Sequence, residues 1–427
     1  MAVFRPFRAV RPAKEYVSEV AALPYDVMSS SEAREMVKDR PWSFLHVDRG
    51  EVDLDPSVSI YDRRVYEKAA ENLERMLAEG INVRESAPVY YIYRQIMDGR
   101  SQAGLVGCAS IDDYQNNVIK KHELTRADKE EDRIRHVDTL NANTGPIFLT
   151  FRDTIGLRAF IGNWMEEHEP LYDFTASDGI RHTVWVIDDP DTESDIQQKL
   201  GDVPSFYIAD GHHRSASAVR VGEKRRAEHP DYDGTEEFNF FLSVLFPVGE
   251  LRIFDYNRVI KDLNGMDPAS FLRACESSFE ISELPVMQKD HAAISEEMLS
   301  VYRPVSKHTF SLYLDGKWYR LTAKEDSFDR ADPVGQLDVT ILQENLLAPI
   351  LNIGDPRTDT RISFIGGIRG LGELVRLVDN GAAAAFAMYP TTTDDLMNIA
   401  DAGKIMPPKS TWFEPKLRSG LFIHYLE

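Results

Sequence analysis

The sequence predicts a mixed α/β protein, α+β in character, with strands and helices interleaved along the whole chain. Three observations carry this. Apolar runs of strand length alternate with stretches whose apolar residues recur at helical spacing. Two pairs of such runs are separated by Asp98-Gly99 and by Asp315-Gly316, the dipeptide that turns a two-residue hairpin. The apolar run Val203–Ile208 leads through Asp210-Gly211 into Ser215–Gly222, a strand feeding a helix through a glycine turn.

Taken in order, residues 2–10 read as a short strand. Ser29-Ser30-Ser31-Glu32 reads as the cap of a helix reaching about Asp39. Trp42–Val47 reads as a short strand. Ile60–Glu79 has helical spacing, stopped by Gly80. Val89–Met97 and Ser101–Ile111 form the first hairpin, and residues 1–115 read as one α+β region. A central region, 116–265, opens on a brief strand, Val118–His122, and a charged helix, Thr125–Leu140. Asn141–Gly145 breaks that helix before a buried strand, Pro146–Phe151. Asp153–Glu167 and Ser194–Leu200 read as helices with the strand Thr183–Asp188 between them. Arg214–His229 is a helix with a basic tail, and Phe238–Phe246 and Leu251–Tyr256 are strands. Residues 266–427 read as an α/β region. It has a helix at Ala269–Ser278, the hairpin Thr309–Leu314 with Lys317–Thr322, and a helix at Val339–Leu347. The strand Ile362–Gly367 and a helix to Val378 follow, then Ala382–Tyr389 as strand and Thr393–Ala402 as helix. Met406–Lys416 is a Pro-bounded loop, and Leu421–Tyr425 a last strand.

Composition narrows the function classes. Of 427 residues, 49 are Lys or Arg and 70 Asp or Glu, a net charge of −21. That balance argues against nucleic acid or an anionic membrane as the main partner, while leaving room for a local basic pocket. Cys108 and Cys275 are the only cysteines, which excludes a disulfide framework and a Cys-rich metal site. No apolar run reaches the roughly 20 residues of a membrane span, and the N-terminus has no signal-peptide core. The expectation is a cytoplasmic protein acting on a small molecule; a homo-oligomer is left open.

Asp210-Gly211-His212-His213-Arg214 is the strongest chemical signal. A strand ending in glycine before a helix points backbone N–H groups at whatever lies above the turn. Two imidazoles and a guanidinium add donors suited to phosphate oxygens. Asp210 is placed to hold a metal ion or orient a histidine. The plainer reading, an exposed Asp-Gly turn, fits the dipeptide better than the whole run. His122-Glu123 sits between a short strand and the charged helix. A carboxylate there can accept a hydroxyl proton, although first-turn helix electrostatics alone would explain it. Lys409-Ser410-Thr411, with Lys416, Arg418 and Ser419 nearby, suits a small anion on a Pro-stiffened loop or is simply surface. Ile365–Gly372 reads as a tight strand–helix turn, not a nucleotide loop. Asn141–Gly145 reads first as a helix C-cap. Tyr25 and Asp26 could reach the site from the first region.

Three of these stretches, in the same order, resemble the free-serine kinases of the ParB/sulfiredoxin-like superfamily. Lys121-His122-Glu123 before a charged helix is similar to their catalytic-glutamate segment. Ile208–Arg214 resembles their phosphate-binding turn, and Ala384–Thr411, with its Pro408-Lys409-Ser410-Thr411, their C-terminal end. The chain also resembles a large bacterial and archaeal family known only as a domain of unknown function, through ALPYDV near the start and the closing PPKSTWFEPK. Residues up to about Tyr114 have no counterpart in the small serine kinases. The resemblance implies a ParB/sulfiredoxin-like core with added N- and C-terminal regions. It also implies a phosphotransferase for free L-serine or O-phosphoserine, with Glu123, His122, Asp210, His212 and His213 catalytic. Gly211, His212, His213, Arg214 and Ser215 would hold ATP, ADP or AMP with Mg²⁺, Asp210 would be the metal contact, and Lys409, Ser410 and Thr411 would hold the substrate. Sulfiredoxin chemistry needs a cysteine where this chain has His212, and the partition proteins need a basic DNA-binding module. Two other readings stand beside the kinase: a metal-dependent phosphatase built on Asp210, His212, His213 and Glu123, and a non-catalytic nucleotide-binding module.

Overall fold

Nine strands build one mixed sheet: β1 (Phe4–Arg5), β2 (Tyr90–Met97), β3 (Arg100–Ser110), β4 (Ile119–Lys120), β5 (Ile147–Phe151), β6 (Tyr172–Thr175), β7 (Arg181–Ile187), β8 (Phe206–Asp210) and β9 (Phe240–Pro247). Their order is β4-β8-β5-β9-β3-β2-β7-β6, with β1 beside β3. The computed structural model describes residues 2–285 and 296–427. This sheet belongs to a unit made of Met1–Leu251 and Pro415–Glu427, and Arg252–Glu414 form a second unit. The hairpin β2–β3 from residues 1–115 sits between strands from residues 116–251 in one sheet, while residues 10–81 supply most of a separate buried cluster that Leu140, Ala142 and Ile423 complete.

The predicted first hairpin forms in register, Met97 opposite Arg100. Asp98 and Gly99 both take positive φ, 51° and 75°, the twist that matches the flanking strands. Parallel pairing occurs only where a helix intervenes. Helix α4 (Ala127–Leu140) lies between β4 and β8, which pair in parallel. Helices α5 (Leu157–Glu167), α6 (Pro190–Gly201) and α7 (His212–Glu228) lie between β5 and β9, which do the same. Asn141, in the left-handed conformation at φ 51°, closes α4, as the C-cap reading expects.

Helix α1 (Ser30–Val37) has the predicted start: Ser29 and Glu32 form a reciprocal capping box. Trp42–Val47 is not a strand. Its end is the short helix α2 (Leu45–Asp48), with Phe44, Leu45 and Val47 all buried against α3 (Arg63–Ala78). Three buried neighbours in four positions suit a tight turn between layers, not a period of two. The edge strand β6 is too short and polar to be read from sequence, with Asp173 and Thr175 exposed. The last predicted strand, Leu421–Tyr425, narrows to a two-residue pairing of His424-Tyr425 with Ala142-Asn143.

The second unit holds a six-stranded antiparallel sheet of β10 (Tyr256–Ile260), β11 (Phe279–Glu283), β12 (Thr309–Leu314), β13 (Lys317–Ala323), β14 (Ile362–Gly366) and β15 (Ala384–Ala387), ordered β11-β13-β12-β15-β10-β14. The second Asp-Gly hairpin forms as predicted between β12 and β13. The strand expected at Leu251–Tyr256 instead starts at Tyr256, and Ile253-Phe254 pair separately with Trp412-Phe413. Among the described residues no helix is long and apolar enough to cross a membrane.

Candidate functional site

Strand β8 is anchored by Phe206 and Ile208, both fully buried, so the turn at its end rises from a fixed base. The register against β5 slips between Ile208 and Asp210, a bulge that re-aims the last residue. Gly211 takes φ 96° and α7 starts immediately, at His212, two residues before the predicted start. A side chain on Gly211 would be strained and would meet Arg214 Nε at 3.2 Å. No side chain caps α7, so its first N–H groups face outward from the helix end.

The structure brings His122 and Glu123 to this turn. The rings of His122 and His212 stack edge to face, centroids 4.5 Å apart. The His122 backbone N–H points at His212 Nε2, 3.5 Å away, which leaves the proton of a neutral ring on Nδ1. That Nδ1 faces Glu123 Oε2 at 3.8 Å. Burial pushes His122 down to about 4 and His212 well below the ordinary histidine range. His213 accepts the Arg126 N–H at Nε2, 3.0 Å, and burial lowers it too. With burial lowering both, the imidazoles of the turn favour the neutral, hydrogen-bonding form, and the guanidinium of Arg214 is its cation.

Arg214 donates to the Pro146 carbonyl and lies 3.7 Å from Asp210. Lys416, on the returning C-terminal segment, reaches Asp210 at 3.2 Å. Burial alone would raise Asp210; Lys416 and Arg214 overcome it and hold the carboxyl well below the usual range. Asp210 is thus already matched by two cations, which fits an outer partner of a metal better than a direct ligand. Ser215, expected beside the phosphate, is turned inward: it is fully buried and donates to the His212 carbonyl at 3.0 Å. Ligand atoms of His122, Glu123 and His212 all lie within 4.8 Å of one another, a set that could hold an ion.

Lys409, Ser410 and Thr411 lie in the second unit. Lys409 has φ 60°, and its amine lies over the Tyr256 ring at 5.5 Å. Ser410 is buried and donates to the Pro407 carbonyl at 2.6 Å, so its hydroxyl proton holds the loop in shape. Ile365–Gly372 is a strand–helix turn, as read, with Gly370 at φ 74° opening a helix, Gly370–Asp379. Sequence reasoning missed the partnership of Lys416 with Asp210, 206 residues apart. It also missed Asp48, Arg133 and His136, which line a cavity with Tyr25 and Arg214.

Strand end, left-handed glycine and uncapped helix start thus meet at one turn of a mixed α/β protein. The chain belongs to the family described as Protein of unknown function (DUF1015), whose model matches residues 4–340. None of the curated proteins matches it. Among solved structures, a free serine kinase variant in complex with AMP is similar over 73% of this chain and 90% of its own, at 13% identity and a TM-score of 0.36. SbnI with C-terminal truncation, from Staphylococcus aureus, is similar over 74% and 86%, at 9% identity and 0.36. A conserved hypothetical protein from Pyrococcus furiosus is similar over 73% and 92%, at 13% identity and 0.34.

The buried histidines set an acid limit. Burial holds His122 and His136 at about 4 and His182 at about 3, against 6.5 when unfolded. Between those values the unfolded chain binds more protons, so acid favours unfolding. This stabilisation is complete above pH 6.5 and is lost as pH falls toward the folded values. The thermal midpoint is expected to fall steadily from pH 7 to pH 4.5; a flat profile would show the rings are not held neutral.

Proposed function

We propose that this protein is a phosphotransferase acting on free L-serine or O-phosphoserine, with a nucleotide (ATP, ADP or AMP) as donor or acceptor. The observation that carries the reading is the juxtaposition of the Glu123 carboxylate with the uncapped start of α7, bridged by the neutral His212 ring. The motif resemblance over the same residues points the same way. In the kinase direction the serine hydroxyl faces Glu123, which orients it and takes its proton. The new O–P bond forms as the donor's P–O bond breaks, and the leaving nucleotide keeps the electron pair. The phosphoryl oxygens lie over the first N–H groups of α7, with Arg214 as nearby cation. The His212 ring lies close enough to steer the Glu123 carboxylate, Nδ1 and Oε2 3.8 Å apart. Asp210 would face a bound Mg²⁺, which would neutralise phosphate charge. Run in reverse, the same groups make serine from O-phosphoserine.

A second reading, a metal-dependent phosphatase, is favoured by the clustered ligand atoms of His122, Glu123 and His212. Two imidazoles and one carboxylate suit a transition metal better than Mg²⁺.

Phosphorus NMR on the purified protein tests both. O-phosphoserine, Mg²⁺ and AMP or ADP are expected to yield serine and the next higher nucleotide phosphate. Free phosphate released equally well without nucleotide, with bound zinc or manganese, would instead establish the phosphatase. No turnover under either condition would sink both readings.

A further inference from the structure

A small, open-mouthed cavity in the first unit adjoins the turn. Its charged lining comes from separate parts of the chain: Asp48 from α2, Arg133 and His136 from α4, and Arg214 from α7. The Arg133 guanidinium is buried. Asp132 holds it at 2.8 Å, and it stacks over the Tyr25 ring at 4.0 Å. Asp48 is 4% exposed. Its Oδ1 accepts from Thr144 Oγ at 2.9 Å, while its Oδ2 has no hydrogen-bond partner. Arg214 Nε, also buried, has none either. No ion pair among the described residues joins Asp48 to Arg133 or Arg214. An unpartnered carboxylate oxygen and an unpartnered guanidinium N–H, both buried, are costly unless a ligand completes them.

The balance of charge narrows that ligand. Groups of both signs face one another here: Asp26, Asp210 and Asp48 act on Arg214, Asp132 and Asp48 on Arg133, and Lys416 on Asp210. A bare anion would leave the Asp48 oxygen unmet, whereas a ligand carrying both charges offers a partner to Asp48 and to the guanidinium groups. His136 donates Nε2–H to the Val47 carbonyl at 3.0 Å, which leaves Nδ1 as an acceptor.

We infer that this cavity binds the zwitterionic head of a free α-amino acid, the carboxylate on Arg133 and Arg214 and the ammonium on Asp48. The inference rests on the phosphotransferase reading for the amino acid's identity and names the residues that select it. Arg214 then links the two halves of the site, since it flanks both the cavity and the Gly211 turn. Tyr25, Asp48 and Thr144 act as binding residues, and none of them touches the transferred group.

Calorimetric titration of the full chain tests this with L-serine, ethanolamine, which lacks the carboxylate, and 3-hydroxypropionate, which lacks the ammonium. Each analogue is expected to bind roughly tenfold or more weakly than serine, the loss of one charge-assisted contact. In Asp48→Asn the preference for serine over 3-hydroxypropionate is expected to shrink by about the same factor, and in Arg133→Gln the preference over ethanolamine. These ratios do not move if a variant is merely less stable, and the analogue series on the unmodified protein needs no variant. Analogues that bind as well as serine, ratios unchanged in both variants, or no amino-acid binding at all would overturn the inference. If another α-amino acid binds with Asp48-dependent preference but no phosphate moves, the cavity assignment stands and the phosphotransferase reading fails. If serine is phosphorylated with unchanged ratios, the reverse holds.

Discussion

Glu123→Gln is expected to lower serine phosphoryl transfer by about 10²–10⁴-fold, the span of a lost general base. Glutamine keeps the side-chain length beside His212 Nδ1, which lies 3.8 Å from the native oxygen, so the turn should keep its shape. Binding of O-phosphoserine should change only a few-fold, because the helix start and Arg214 are untouched. Single-turnover rates and calorimetric affinity, measured together, read both halves. The metal-dependent reading predicts a different pair of results: the substitution removes a ligand, so bound metal falls with activity and excess zinc or manganese restores part of both. A variant with native turnover would remove Glu123 from the chemistry altogether.

The second large effect is on stability. Asp210→Ala leaves Lys416 and Arg214 side by side with no carboxylate between them. Breaking a fully buried pair costs about 3–5 kcal/mol; Asp210 keeps about a third of its side chain in solvent, which brings the expected loss to about 2–3 kcal/mol. Adding Lys416→Met should recover part of this, since it removes one of the two cations that faced the lost carboxylate. Denaturant melts of the two single variants and the double variant give the coupling directly. Strictly additive losses would mean that the ion pair contributes nothing beyond its parts.

What the sequence makes legible is local. Asp98-Gly99 and Asp315-Gly316 identify both hairpins because only a few residues tolerate positive φ at two successive positions. The Ser29–Glu32 box and the Asn141 cap are legible for the same kind of reason, since each satisfies backbone groups a few residues away. Gly211 reads correctly as a strand-to-helix junction. Partners distant in the chain are not legible. Nothing near Asp210 announces Lys416, and nothing in the charged helix 127–140 says that Asp132, Arg133 and His136 are its buried face. Charged residues are normally read as solvated, and that reading fails where two charges are buried together. The charge state of His212 and His213 was equally hidden, because it is set by burial and not by residue type. Trp42–Val47 misled because a run of apolar residues is compatible with a strand or a short buried helix.

The first unit is not continuous in the chain: its last thirteen residues, Pro415–Glu427, follow the whole of the second unit. They carry Lys416 to Asp210, Ile423 to Val10 and His424 to Asn143. On the ribosome, the nine strands are all made before any of these contacts can form. Roughly 175 more residues must then be synthesised, a wait of about 10–35 s at ordinary elongation rates. During that interval the Gly211 turn exists without the lysine that balances Asp210. A chain stopped just short of residue 415 is therefore expected to be captured by chaperones or degraded, even though it contains the entire large sheet.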